Sequence, residues 1–544
     1  MKIIMLAGCI LLLAVTPAMA GDETELQLQQ RLQAHIEFLA DDLMRGRQPG
    51  TTGYDIAANY VSSQFRQMGL SPAGDNGDYF QQVPLRRAFL EPGSAELVLH
   101  RGAATAFLFV DQFYMGPALG SVSSNLEAGL VFAGYGIESE ELGYNDYASL
   151  EASGKIVVLL AGQPHDFPSE EGAHFASGME KTKAAVRHGA VGMLIIHTPR
   201  ASRRYAWDRV RNQVGTPSMG WINEQGEVHG EFEQIRASAM LSHTAAPPLF
   251  EGAPVSLETL IERDNAGESL TTFELEGKIS MRQRSTHENI SSPNVVAVLP
   301  GSDPLLANEY VVYSAHLDHI GELHTDSGDH QDKDRINNGA LDNASGISVM
   351  LETARLFSQG EIPRRSVLFV AVTAEEKGLV GSEYFAMNPT VPVESMVSAV
   401  NLDMPLLLYE FGDVIAFGAE HSTLGETVRE AAQSYATELS PDPFPEQNIF
   451  VRSDHYRFVQ QGIPSVFLVT GMQSRDGTVD TQPIFEGFLQ DHYHKPSDDL
   501  NLAINYKAAA KFTRINAKIG ELLANDPDRP AWNEGDFFGR TYAN

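Results

Sequence analysis

Apolar residues recur at helical spacing over two N-terminal stretches, Glu23 to Gly46 and Thr52 to Gly69, and predict a helix in each. Gly46, Pro49-Gly50 and Gly53 punctuate the joint between them. From Tyr79 to Phe109 the pattern shortens to strand-like runs, among them Val83-Pro84-Leu85 and Leu97-Val98-Leu99. A second zone spans about Gly116 to Gly277. It holds strand-like Leu130 to Gly136, Gly154 to Leu160 and Gly189 to Ile196, with a helical stretch at Lys181 to His188. Its later part, Arg200 to Pro254, is polar and reads as loop, and its histidines are scattered. After Ser292 strands alternate with helices, as in a sheet covered by helices. The strands are 294–299, 310–315, 366–373, 397–402, 414–417 and 465–470; the helices are 345–359, 381–388, 423–436 and 505–524.

Composition narrows this picture. A chain of 544 residues, 43 % apolar and 20 % charged, is ordinary globular material and long enough for more than one domain. Residues 1–20 are set apart: Lys2, the apolar run Ile3 to Val15 and Ala18-Met19-Ala20 form a signal peptide, too short to span a membrane. Export to the periplasm or the outside is therefore expected. Leu6-Ala7-Gly8-Cys9 imitates a lipoprotein box, but most of the apolar run follows Cys9, which argues against a lipid anchor. Cys9 is the only cysteine, so the exported chain holds no disulfide and does no thiolate chemistry. A net charge of −32 makes nucleic acid and anionic membrane surfaces poor partners.

Five groups of metal-ligand type punctuate the last zone: His316, Asp342, Glu376, Asp403 and His494. Several stand at the ends of strands, where open α/β sheets build their sites. In Ala315-His316-Leu317-Asp318-His319, a strand continued past His316 would put Asp318 on the same face, as a carboxylate orienting the imidazole. Asn338 to Gly346 brings four polar residues close together, more than a helix cap requires. Glu375 and Glu376 close an apolar strand, where adjacent carboxylates repel unless a cation takes one. Consecutive side chains point apart, so one can ligate while the other faces substrate. Charge favours two ions: three carboxylates and one hydroxide neutralise two divalent cations, whereas one cation leaves a buried negative excess.

These motifs resemble metallopeptidase family 28, the dizinc aminopeptidases. The resemblance rests on Ala-His-x-Asp-His, Gly-Ala-x-Asp-Asn-Ala-Ser-Gly, Ala-Glu-Glu-x-Gly, Asn-Leu-Asp-Met and Tyr-His-x-Pro-x-Asp, and on Gly46 to Gly53 near the start. It implies a zinc-exopeptidase fold, α/β with a mixed, mostly parallel central sheet flanked by helices. The catalytic domain would be discontinuous over 21–115 and 278–530, with a β-rich protease-associated domain at 116–277 and a tail at 531–544. It implies two Zn2+ per chain, replaceable by Co2+ or Mn2+, with Asp342 bridging, His316 and Asp403 on one ion, and Glu376 and His494 on the other. Asp318 would orient His316, Glu375 would be the general base, and the Asp342–Asn343 peptide would be cis.

Peptides are the implied substrates, and an N-terminal exopeptidase is the principal reading. A glutaminyl cyclase using one zinc, a carboxypeptidase or dipeptidase, and a non-catalytic binding module are the alternatives. Tyr456 and Tyr493 are second-tier groups for supporting the tetrahedral oxyanion, and His319 is the runner-up to His316 as ligand. The polar insert between Gly321 and Arg335 reads as a solvated rim.

Overall fold

The computed structural model describes residues 24–323 and 334–543. The expected signal segment and most of the insert after Gly321 lie outside the described residues.

Strand Tyr310–His316 shows how the central layer forms. Alternate residues point to opposite faces, and here both faces are apolar, as in a sheet covered on two sides. Val311, Tyr313 and Ala315 face a core built with helices Glu25–Leu39, Gly346–Gln359 and Tyr506–Asn525. Val312 faces a smaller core containing Phe385 and Phe458 from the other side. Four parallel strands form the middle of this sheet, in the order Ser366–Val372, Tyr310–His316, Met396–Leu402 and Ser465–Thr470. Antiparallel strands extend it on either side, through Phe273–Leu299 and Phe80–Leu90 at one edge and Asp413–Phe417 at the other. The result is a mixed α/β layer whose parallel strands all end on one side.

A second sheet has its own core around Leu97, Phe132, Val158 and Ile196. The 27-residue strand Phe273–Leu299 joins the two sheets. Residues 273–284 pair with Ser123–Phe132, with a bulge between Leu275 and Lys278, and residues 285–295 pair with Phe80–Leu90. The limits of this unit differ from 116 and 277. Glu96–Arg101 and Phe113–Tyr114 already pair within the second sheet. Gly277, with φ at +92°, is a bulge inside the joining strand, where a Cβ would lie 2.8 Å from the His100 carbonyl oxygen. The expected limit at 277 thus falls inside one continuous strand. The stretch expected as loop also holds helices Pro199–Arg204 and Trp207–Asn212.

The two units meet at a buried ionic junction. His421 Nδ1 lies 2.5 Å from Asp536 Oδ2 in the C-terminal segment, and its Nε2 contacts Glu170 of helix Ser169–Ala176. Burial opposes the charged imidazole, yet contacts with Asp536 and Glu170 hold His421 up at about 10. Burial raises Glu170 to about 7 despite His421, and the charges of Glu420 and Glu171 add to this. Both folded values exceed the unfolded ones, so the folded state holds more protons and stability falls as pH rises. The Glu170 contribution declines between about 4.5 and 7, and that of His421 between about 6.5 and 10. Melting temperatures across pH 6.5 to 10 should therefore drop more steeply for the natural protein than for His421→Gln.

Candidate metal centre

The parallel strands deliver their chemistry at their C-terminal ends. His316 is the last residue of its strand, Glu375 and Glu376 follow Ser366–Val372, and Asp403 follows Met396–Leu402. Asp342 precedes helix Gly346–Gln359 in an irregular turn, and His494 comes from the segment after helix Gln482–Asp491. The five ligand-type groups, distant in sequence, converge.

Asp342 is the centre of the arrangement. Its Oδ1 is 3.3 Å from His316 Nε2, and its Oδ2 is 3.3 Å from His494 Nε2. His316 Nε2 also approaches Asp403 Oδ1 at 3.0 Å, while His494 Nε2 approaches Glu376 Oε2 at 3.3 Å. Two histidine–carboxylate sets therefore share one carboxylate. His316, Asp342 and Asp403 lie within common ligand reach, as do His319, Asp342 and Glu376. The second grouping gives His319 a place different from the one suggested by its sequence neighbour. It stands on the Glu376 side, Nδ1 2.6 Å from Glu376 Oε1, and its buried Nε2 has no hydrogen-bond partner.

The shell around these groups accounts for their aim. Asp498 accepts hydrogen bonds from the N–H groups of Leu341 (2.9 Å) and Asp342 (3.0 Å). Asn343 donates to the Leu402 carbonyl and accepts from Met404 N–H, tying the Asp342 turn to the Asp403 strand end. The Asp342–Asn343 peptide is cis. Gly339, with φ at +61°, is required there, because a Cβ would lie 2.0 Å from the Asp342 carbonyl oxygen. Ser453 donates to Asp403 Oδ2 at 2.6 Å and receives from Asn401.

Asp318 departs from its expected contact. The strand stops at His316, so the alternation does not carry through to residue 318. His316 Nδ1 faces the Asp318 backbone carbonyl at 3.1 Å instead. The Asp318 carboxylate accepts from the N–H groups of Glu375 (3.0 Å) and Glu376 (3.4 Å), fixing the glutamate pair. Tyr456 also lies elsewhere than expected: its hydroxyl bonds His174 at the junction between the two units. Tyr493 packs against His494, with ring centres 3.9 Å apart and planes tilted by 35°.

Arg47, 1 % exposed, reaches in from the N-terminal segment. It donates to the carbonyls of Leu317 (2.9 Å), Leu39 (2.6 Å), Asn338 (2.6 Å) and Gly339 (3.1 Å). It thereby joins the turn after His316 to the turn before Asp342. Burial lowers its pKa to about 10 against the pull of nearby carboxylates. Arg47→Met leaves several carbonyls buried without donors and should lower unfolding free energy by about 3 kcal/mol or more, read from denaturant titration.

Burial drives Glu375 well above the usual carboxylate range, and the charges of Asp403, Asp454 and Glu376 reinforce it against His316. Asp342 and Glu376 are held below the usual range despite burial, through their histidine contacts. Among the described residues no lysine or arginine pairs with Asp342, Glu375, Glu376 or Asp403. Buried Asp454 adds a further carboxylate close to Asp403 and Asp318. Such an excess of buried negative charge among imidazoles fits divalent cations of the zinc type.

Residues 294–520 match the sequence family described as Peptidase family M28. This segment belongs to peptidase family M28.

All five ligand-type groups fall inside the M28 segment, whereas Arg47 lies outside it. The chain is 24 % identical over 358 residues to a protein of Aspergillus oryzae named "probable leucine aminopeptidase 2", covering 64 % of this chain and 62 % of that protein. It is 27 % identical over 252 residues to one of the same name from Aspergillus fumigatus, covering 44 % and 46 %. The alignments thus span less than two thirds of these relatives. An aminopeptidase from Aneurinibacillus sp. strain AM-1 shares the fold, with a TM-score of 0.53 and 18 % identity over 93 % of this chain and 97 % of the other.

Proposed function

We propose that the protein is an exported metallo-aminopeptidase that removes N-terminal residues from peptides using two divalent ions, zinc in the first instance. The observation that carries this reading is the shared Asp342 carboxylate, one oxygen towards His316 and the other towards His494. His316 and Asp403 would complete one ion, and Glu376 and His494 the other. Action at the N-terminal end takes its support from the names of the two Aspergillus relatives, and export from the apolar start ending at Ala20. The second unit fits the role of a protease-associated domain that walls one side of the cleft.

When bound, the ions acidify a water and polarise the scissile carbonyl. The chain's own groups manage protons and position. Glu375 takes the water's proton on its carboxylate and returns it to the leaving amine. The Asp318 clasp on two successive N–H groups holds Glu375 and Glu376 in their separate orientations. Ser453 keeps Asp403 from turning away.

A cavity of about 500 Å3 opens beside Asp403, with Leu406, Phe417, Phe467, Val469 and Phe485 on its wall. Its size and lining suit a large apolar side chain, each buried CH2 adding about 0.8 kcal/mol. Leucyl and phenylalanyl anilides should be cleaved about tenfold or more faster than the glycyl anilide, and a chelator should stop all three. Rapid cleavage of N-blocked peptides would contradict the N-terminal assignment while leaving hydrolysis intact.

A further inference from the structure

The same cavity carries a charge pattern at odds with the rest of the chain. Acidic residues outnumber lysine and arginine 71 to 39, so carboxylate partners are plentiful. Many arginines elsewhere take them, as in Arg364–Asp303, Arg365–Glu309, Arg457–Glu383 and Arg529–Glu309, and others, such as Arg47 and Arg101, spend their donors on several backbone carbonyls. Three arginines on this one cavity, Arg203, Arg209 and Arg452, make no ion pair among the described residues. Arg209 lies over the Tyr493 ring at 5.4 Å and donates one hydrogen bond to the Leu489 carbonyl. Arg452 donates to the Gln447 carbonyl at 3.3 Å. Each guanidinium therefore keeps donors to spare. Glu486 also lines the cavity, but it accepts from Gln482 and leaves the arginines in excess.

The position of these cations assigns them a ligand. Tyr493 stands between Arg209 and His494, so the guanidinium is one ring removed from the metal centre. Arg452 immediately precedes Ser453, which holds Asp403. We propose that this arginine cluster binds a carboxylate on the leaving side of the peptide, so that short peptides with a free C-terminus, or peptides with an acidic residue just after the cleaved bond, are the preferred substrates. The proposal rests on the aminopeptidase reading above. An extended residue spans about 3.5 Å, so the C-terminal carboxylate of a dipeptide or tripeptide stays close to the scissile bond. Guanidinium groups remain charged at any working pH and grip carboxylates with paired hydrogen bonds. The Trp207–Asn212 helix, which carries Arg209, would thus give the second unit a direct part in substrate choice.

The test uses the full-length, zinc-loaded protein and two substrate pairs, Leu-Ala against Leu-Ala-amide and Leu-Asp-amide against Leu-Asn-amide. In at least one pair, kcat/KM should favour the carboxylate member by about tenfold or more, the scale of one charge-assisted hydrogen bond. Arg209→Gln combined with Arg452→Gln should bring that ratio towards one. Raising salt to 1 M should shrink it in the natural protein, which keeps the test valid if the double variant folds poorly. A preference confined to Leu-Ala assigns the site to the chain end, and one confined to Leu-Asp-amide assigns it to a side chain; either supports the proposal. Ratios near one in both pairs, with leucyl anilide still hydrolysed, overturn it and leave the aminopeptidase reading standing. Failure to cleave any unblocked substrate overturns both.

Discussion

Glu375→Ala is expected to slow turnover about a hundredfold to ten-thousandfold while leaving metal content close to that of the natural protein. The two adjacent glutamates owe this separation to their geometry. Glu376 Oε1 and Oε2 lie 2.6 and 3.3 Å from His319 and His494, inside the ligand set. Glu375 Oε2 approaches that set only at 4.0 Å from His316 Nε2, and burial raises its pKa well above the usual carboxylate range. A raised pKa suits a group that must accept a proton and then release it. Steady-state kinetics on leucyl anilide, with elemental analysis of the same sample, read both quantities together. An active Glu375→Ala protein would remove the proton-transfer role, and loss of metal in the variant would recast Glu375 as a ligand.

Asp342→Asn should act on both sets at once. The substitution keeps shape but removes one negative charge from the carboxylate that His316 and His494 share. An amide has a single oxygen to offer, so one of the two cations loses its shared donor. Metal content should fall to one ion per chain or less. Losing that ion's share of transition-state stabilisation, about 4 kcal/mol, lowers turnover on the order of a thousandfold. Asp403→Asn touches one set only and should leave the other ion in place, which dialysis against a weak chelator followed by elemental analysis would show.

Much of this was legible in the sequence, because strand ends announce themselves. Apolar runs such as Ser366–Val372 and Met396–Leu402 break abruptly into acidic residues, and the break marks where a parallel strand meets its site. The parallel, helix-covered layer followed from the same alternation. The supporting contacts were less visible. Asp498 sits inside a quoted motif, yet nothing in the motif says that its carboxylate grips the N–H groups of Leu341 and Asp342. Arg47 sits inside the quoted Gly46 to Gly53 stretch, yet it works through four backbone carbonyls, which carry no residue identity, so the stretch does not say what it holds. Strand alternation carried two residues beyond His316 points the Asp318 carboxylate at the imidazole, whereas the chain turns there and the backbone carbonyl makes that contact instead. The pattern along the chain changes near residue 277, but strand Phe273–Leu299 runs through that point and joins the two sheets, so the change marks no end of an element.

Counting ions in the active protein tests the shared-carboxylate site most directly. Elemental analysis of chelator-stripped protein, titrated with zinc while leucyl anilide hydrolysis is followed, should show activity recovering to a plateau at two ions per chain. Full turnover by stripped protein, or a plateau at a single ion with no second one bound, would contradict it.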